Sequence, residues 1–202
     1  MDRNDIKNSF INTWNSEAEE INRLHDYVDE DLLCDLVEKI AACKGKVVLT
    51  GCGTSAAVAK KIVHSLSVIS IPAVFLVPSE AVHGSLGLIN EDDIVIFISK
   101  GGNTKELCSF IDNVKAKKAF VVTVSENEGS QLAIKADMFI KVKIEREPDE
   151  FNMLATASSV AVIALFDALC IALIKYKGFS KDSFALNHPQ GAVGERLLKH
   201  LD

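Results

Sequence analysis

Residues 47–55 read Val47-Val48-Leu49-Thr50-Gly51-Cys52-Gly53-Thr54-Ser55, a short apolar run, two glycines and two hydroxyls. The run has the length and β-branched content of a buried strand, and the glycines allow a tight turn into a helix beginning at Ser55. Four more strand-length runs follow, at Ala73 to Val77, Ile94 to Ser99, Ala119 to Val124 and Met138 to Val142. Helical segments lie between them, at Ser55 to Leu66, Thr104 to Val114 and Gln131 to Ala136. Strands alternating with helices predict an α/β fold: a three-layer sandwich around a five-stranded parallel sheet, flavodoxin-like in plan.

Upstream, Ile6, Phe10, Ile11, Trp14, Ala18, Ile21 and Leu24 recur at spacings of three and four, one helix face from about Ile6 to Tyr27. A second helix is expected from Leu32 to Ala42, with Gly45 as its stop. Residues 1–44 therefore read as an N-terminal helical hairpin and 45–202 as the α/β core of a single domain. Downstream, a mostly apolar helix is expected from about Thr156 to Tyr176, then the marked segment His188-Pro189-Gln190-Gly191, then a last helix to about Leu201. Asp167 interrupts the apolar helix, and a charge there is costly unless paired, so a partner is expected at the functional site or at a subunit interface. The apolar stretch from Val160 to Ile174 falls short of the ~18 residues of a membrane span.

The 48% hydrophobic and 25% charged residues describe an ordinary folding chain, not a disordered or low-complexity one. Lys and Arg number 22 against 28 Asp and Glu, so the net charge of -6 gives no general field for phosphate backbones or anionic lipid. No nucleic acid and no membrane partner is expected, and an anionic ligand must be held by local devices such as helix N-termini. The five cysteines are odd in number, form no C-x-x-C pair and have no zinc-like spacing to histidine, so they read as reduced thiols. With no apolar signal segment in MDRNDIKNSFINTW, the expected location is cytoplasmic.

In an open α/β sheet the ligand lies beyond the carboxyl ends of the strands. Gly51-Cys52-Gly53-Thr54-Ser55 offers hydroxyls and first-turn amides there, and with Ala56 it also passes as the permissive dinucleotide pattern G-x-G-x-x-A. The acid such a cofactor needs comes late, at Glu80, which disfavours a nicotinamide enzyme. Ser99-Lys100-Gly101-Gly102-Asn103-Thr104 ends the third strand and supplies two hydroxyls, two glycines, a cation and a helix start. The plain alternative is that Ser99 and Thr104 shape a turn and Lys100 is solvated. Two such loops suit one phosphorylated small molecule, with Thr54, Ser55, Ser99, Lys100, Gly101 and Thr104 as the phosphate-binding candidates.

These two loops resemble the phosphate-binding loops of sugar isomerase (SIS) domains. The remainder resembles the D-arabinose 5-phosphate isomerase branch: Pro78-Ser79-Glu80-Ala81-Val82-His83-Gly84-Ser85-Leu86-Gly87, Thr156-Ala157-Ser158-Ser159 opening the long helix with Asp167-Ala168-Leu169, and Phe184-Ala185-Leu186-Asn187-His188-Pro189-Gln190-Gly191-Ala192-Val193-Gly194. The resemblance implies aldose–ketose isomerisation through an enediol, on D-arabinose 5-phosphate and D-ribulose 5-phosphate, with neither metal nor cofactor required. The hairpin and the apolar long helix offer more hydrophobic surface than one small sheet covers, which predicts a homodimer or homotetramer, and the resemblance implies that His188 completes a neighbour's site. By the same resemblance the catalytic candidates are His188, Glu147, Glu106 and His83.

Each candidate also has a plain structural reading. Imidazole exchanges protons near neutral pH, which suits His188 as acid or base, but a histidine before Pro189 also serves as a cap. His83 is a loop histidine beside Gly84, and Glu106 sits where a helix dipole alone favours a carboxylate. Glu147 lies in the acidic stretch Glu145-Arg146-Glu147-Pro148-Asp149-Glu150, which also reads as a solvated loop. His64 and His200 match no motif and are expected at the surface or in packing.

The chain departs from the branch at Thr54, where Lys is common, and in the second loop, where S-N-S-G-E-T is the usual form. One cation is lost and another, Lys100, is gained on a different loop. Thr54-Ser55 is closer to the amino-sugar isomerase pattern, so a hexose or amino-sugar phosphate is an alternative substrate. The sequence ends after the isomerase domain, without the cystathionine-beta-synthase-type pair many relatives append, so nucleotide regulation through such modules is not expected. A non-catalytic sugar-phosphate sensor is the rival class, disfavoured by the retained His188 and Glu147.

Overall fold

The computed structural model describes residues 2–190. Five strands, β1 (Val47–Gly51), β2 (Ala73–Phe75), β3 (Ile94–Ile98), β4 (Phe120–Ser125) and β5 (Met138–Lys141), form one sheet in the order β2-β1-β3-β4-β5. Every neighbouring pair is parallel. This is the flavodoxin-like order, in which the chain switches direction between β1 and β3 and opens a crevice between the loops that follow them.

Alternation along the strands fills both faces. Val47 and Leu49 of β1 and Ile94, Ile96 and Ile98 of β3 face one layer, while Val48, Val95 and Phe97 face the other. The first layer is made by α1 (Arg3–Asn22), α2 (Leu24–Tyr27), α3 (Glu30–Ala41), α4 (Thr54–Val68) and the long α9 (Ala157–Lys177). The second is made by α5 (Pro78–Ala81), a 3-10 turn at Ser85–Leu88, α6 (Lys105–Cys108), α7 (Ile111–Ala116) and α8 (Gln131–Lys135). A last described helix, α10 (Lys181–Asn187), follows α9.

The N-terminal helix breaks at Arg23 into α1 and α2, and α3 returns from Glu30, so the hairpin is present with one extra joint. The segment expected as one helix from Thr104 to Val114 is two, α6 and α7, separated at Ser109 and Phe110. The helix expected to reach Leu201 lies outside the described residues, as do His200 and the segment from Gly191 to Gly194. α9 is long and apolar enough to cross a membrane by length and composition, yet its buried residues Ala161, Leu165, Phe166, Leu169 and Leu173 pack on the sheet.

Asp167 finds a partner within the chain, away from the cleft. Its carboxylate meets the Lys61 ammonium of α4, because α4 and α9 lie side by side on the same face of the sheet. His64, also on α4, is exposed, as expected.

Candidate functional site

A small cleft of about 60 Å³ opens at the carboxyl edge of the sheet. Thr54 and Ser55 reach it from the loop after β1, Lys100 from the loop after β3, Ser125 and Glu126 from the end of β4, and Ser158 and Ser159 from the start of α9. Ile98, Val124, Val142 and Ile144 form its apolar floor. At ~10–15 Å³ of such space per water, it holds four to six waters, roughly the size of a phosphate group rather than a whole sugar phosphate.

The first loop presents an open helix end. Gly53 precedes α4 at φ +56°, a left-handed conformation that glycine adopts freely, and no side chain caps the helix. The first turn of α4 carries no acidic residue. Asp2 caps α1, Asp29 caps α3, and Glu147 serves α9, so the uncapped N-terminus of α4 differs from those of the other long helices. Thr54 and Ser55 thus meet the cleft with their hydroxyls on the positive end of a 15-residue helix.

The second loop is held by its own hydroxyls. Ser99 Oγ lies 2.8 Å from Thr104 Oγ1 and accepts from the Gly102 amide at 3.1 Å, and Ser99 is only 4% exposed. Gly102 has φ +69°, and a Cβ there would stand 2.0 Å from Ser130 Oγ. Ser99 and Thr104 therefore shape the loop and do not line the cleft, Gly101 is exposed, and Lys100 is the loop's contribution to the cleft. The Lys100 carbonyl is fixed by Ser125 Oγ at 2.8 Å and the Glu126 amide at 3.0 Å.

Glu147 is buried, not part of a solvated acidic loop. One oxygen accepts from Lys100 Nζ at 2.9 Å and from the Ser158 hydroxyl; the other accepts from the amides of Thr156 at 3.1 Å and Ser158 at 3.3 Å. Its own amide donates to Asn152 Oδ1 at 2.6 Å. Burial pushes this carboxyl upward, but the Ser158 hydroxyl, the Lys100 ammonium and the two amides outweigh it, and the group sits below the usual carboxylate range. Lys100 and Ser158 line the cleft while Glu147 does not, so its two partners stand between the carboxylate and the ligand space.

His83 lies on the exposed turn after α5, beside Gly84 at φ +115°. Glu106 is exposed on α6, which packs against α5, and its charge adds to the burial that raises the Cys52 thiol on the first loop. Both residues therefore stand at the carboxyl edge, outside the cleft itself.

His188 is elsewhere. It caps the C-terminus of α10, stacks on Phe184 with ring centroids 5.9 Å apart, and holds Nδ1 3.1 Å from the Gln190 carbonyl. The adjoining Asn187 amide donates to the Val68 carbonyl and to Ser70 Oγ, at the far end of α4. α4 spans roughly 22 Å at 1.5 Å per residue, so His188 lies about a helix length from the cleft of its own chain, near the opposite end of α4.

Sequence reasoning passed over Ser125 and Glu126, although the ends of strands were the places to look. Ser158 and Ser159, which the Thr156-Ala157-Ser158-Ser159 motif contains, also line the cleft. Among the described residues, no group of three or more His, Cys, Asp or Glu side chains converges as metal ligands would.

A family model described as SIS domain matches residues 39–172. Arabinose 5-phosphate isomerase KdsD of Yersinia pestis is 36% identical over 182 residues, 90% of this chain and 55% of the relative. The chain thus spans about half the length of the curated relatives it matches. Among solved structures, a candidate sugar-phosphate isomerase from Listeria monocytogenes is 49% identical, with a TM-score of 0.93 over 94% of this chain and all of that one. A protein of E. coli CFT073, solved in complex with arabinose 5-phosphate, is 28% identical, with a TM-score of 0.89 over the same shares.

Proposed function

The chain belongs to the SIS domain family, and on that premise we propose that it is a sugar-phosphate aldose–ketose isomerase interconverting D-arabinose 5-phosphate and D-ribulose 5-phosphate. The observation that carries this reading is the uncapped N-terminus of α4 opening onto the same cleft as Lys100, with the buried carboxylate of Glu147 directly behind it. An open helix end and a cation suit a phosphate dianion; a carboxylate within one side chain of it suits a base at the sugar's reactive end. The E. coli CFT073 protein in complex with arabinose 5-phosphate supports the same substrate class.

The phosphate is held by the first-turn amides and hydroxyls of Thr54 and Ser55 and by Lys100, on a loop that Ser99, Gly101 and Thr104 shape. Glu147 takes the C2 proton of the open-chain aldose. The electron pair of that C–H bond forms the C1–C2 double bond as the C1 carbonyl oxygen takes a proton; the enediol collapses to the ketose as its C2 hydroxyl releases a proton, replacing the one taken up at O1, and Glu147 returns its proton to C1. Glu106 and His83 support this step from the rim, and His188 opens the ring. The proton bookkeeping closes without a metal or a redox cofactor.

His188 reaches a cleft only from a second copy, so the working unit is a homodimer or homotetramer. Ile6, Phe10, Ile11 and Trp14 are 43–64% exposed along α1, and an apolar cavity of about 850 Å³ lies between α1, α3 and α9; a second copy would cover both. Sedimentation showing a stable monomer would overturn this part. The five free cysteines fit a reducing cytoplasm, where we place the protein.

The activity is tested by incubating the protein in D₂O with a panel of pentose and hexose phosphates and following the C2 proton by NMR. Exchange without added cofactor, fastest with D-arabinose 5-phosphate, is expected. Binding without exchange would make the protein a sensor instead.

A further inference from the structure

We propose that Lys100 is a phosphate-responsive counter-ion: the phosphate of an incoming sugar draws its ammonium off Glu147, freeing that carboxylate to act on the sugar that the phosphate anchors. The inference rests on the sugar-phosphate reading above and adds to it how the site is switched on.

Without ligand, Glu147 is a poor base. Its oxygens accept four hydrogen bonds, and Lys100 and Ser158 screen it from the cleft. A substrate therefore meets the carboxylate only after one of these two has moved. Ser158 is the first-turn residue of a 21-residue helix and donates twice to Glu147, through its amide and its hydroxyl. Lys100 is the movable one: its side chain is 42% exposed. The hydrogen bonds from Ser125 and Glu126 hold its carbonyl, so the motion is confined to the four-carbon stem.

The competition favours the phosphate. A phosphate monoester carries about −1.5 to −2 charges near neutral pH against one on the carboxylate, and the open end of α4 holds it close to Lys100. Glu147 keeps its place when Lys100 leaves, because Ser158 and the Thr156 amide still hold it. Burial is then opposed by three donors instead of four, and the affinity of the carboxylate for a proton rises, the direction a general base requires.

The other charged groups around Glu147 do not replace the lost cation. Arg146 directs its guanidinium Nε to the main-chain carbonyl of Glu147 at 3.4 Å, and Glu126, lining the cleft from β4, adds negative charge. The first turn of α9 offers amides and hydroxyls but no titratable side chain. A cation on the second loop, paired to the base, therefore links phosphate occupancy to the state of Glu147.

The test follows the side-chain carboxyl of Glu147 by NMR in glutamate-labelled protein, assigned with Glu147→Gln and titrated with and without saturating inorganic phosphate. Expected is a titration that moves to higher pH when phosphate binds. In Lys100→Gln it should lie higher already and not respond to phosphate, whereas Lys100→Arg should keep the response. Lys100→Gln should also weaken inorganic phosphate binding about tenfold or more, the value of one hydrogen bond to a charged group. An unmoved titration in phosphate-saturated protein, an equal response in Lys100→Gln, or no phosphate binding at all would overturn the proposal. Turnover of a sugar phosphate with an unmoved Glu147 would discard the counter-ion role and keep the isomerase. A phosphate-coupled Glu147 in a protein that turns over no sugar phosphate would do the reverse.

Discussion

Lys100 Nζ lies 2.9 Å from Oε1 of Glu147, joining the loop after β3 to the segment after β5 across 47 residues of sequence. The pair has one exposed and one buried member. That asymmetry makes it a structural clamp and leaves its cation available to a ligand. The cleft chemistry and the packing of the loops around it give the following expectations.

Thr54→Asp places an acid in the first turn of α4, where the structure has none. A carboxylate there complements the helix end and should raise stability by ~0.3–1 kcal/mol. It should also fill the anion site and abolish phosphate binding. Urea denaturation and phosphate titration of the same variant check both signs, and tight phosphate binding by Thr54→Asp would remove the α4 terminus from the site.

Two glycines with positive φ should respond differently to alanine. At Gly53 a Cβ meets nothing within 4 Å, so Gly53→Ala costs only the backbone conformation (φ +56°, ψ −126°), ~1–3 kcal/mol. At Gly102 it would strike Ser130 Oγ and Cβ, at 2.0 and 2.5 Å, so Gly102→Ala should cost ~2–4 kcal/mol and disorder the Lys100 loop. Adding Ser130→Gly should recover part of the loss. Equal destabilisation of the two single variants by chemical denaturation would contradict the packing described.

Asp93 is buried at the start of β3 and binds the amides of Lys46 and Asn90, at 2.9 Å each, and the Lys46 ammonium at 2.8 Å. Burial raises this carboxyl, but the Lys46 and Asn90 contacts together bring it below its ordinary value. A depressed carboxyl adds stability that is full above its unfolded pKa and disappears as pH falls through the folded one. Asp93→Asn should therefore lower stability at neutral pH by ~2–3 kcal/mol and flatten the acid limb of stability against pH. Denaturation curves between about pH 3 and pH 7 read both effects.

His188→Ala should lower isomerase turnover by ~10² or more while leaving phosphate binding intact. Mixing it with Glu147→Gln under conditions of subunit exchange should restore part of the activity, since a hybrid then pairs an intact cleft with an intact histidine. Mixtures as inactive as either parent would place His188 outside a shared site.

The fold was legible in the sequence because the central strands β1, β3 and β4 are buried on both faces and so read as apolar runs between turn residues. One-turn elements were not: α5 begins at Pro78 and spans only four residues, too few for a helical period. α10 was missed although Ser180 caps it through the Ser183 amide, a signal the sequence does carry. Both loops of the cleft were located, but Ser99 and Thr104 turned inward to bond each other, which a motif of hydroxyls cannot distinguish from an outward pair. The burial of Glu147 was hidden by its neighbours: Glu145 and Glu150 make the stretch look solvated, and only the distant Lys100, Thr156 and Ser158 make a buried charge tolerable there.

The most direct test of the site is a crystal structure with D-arabinose 5-phosphate bound. It should show the phosphoryl oxygens on the Thr54 and Ser55 amides and hydroxyls, the Lys100 ammonium turned from Glu147 to the phosphate, and the sugar's C1–C2 end toward the Glu147 carboxylate. A phosphate seated elsewhere, with the Lys100–Glu147 pair still closed and the end of α4 empty, would contradict it.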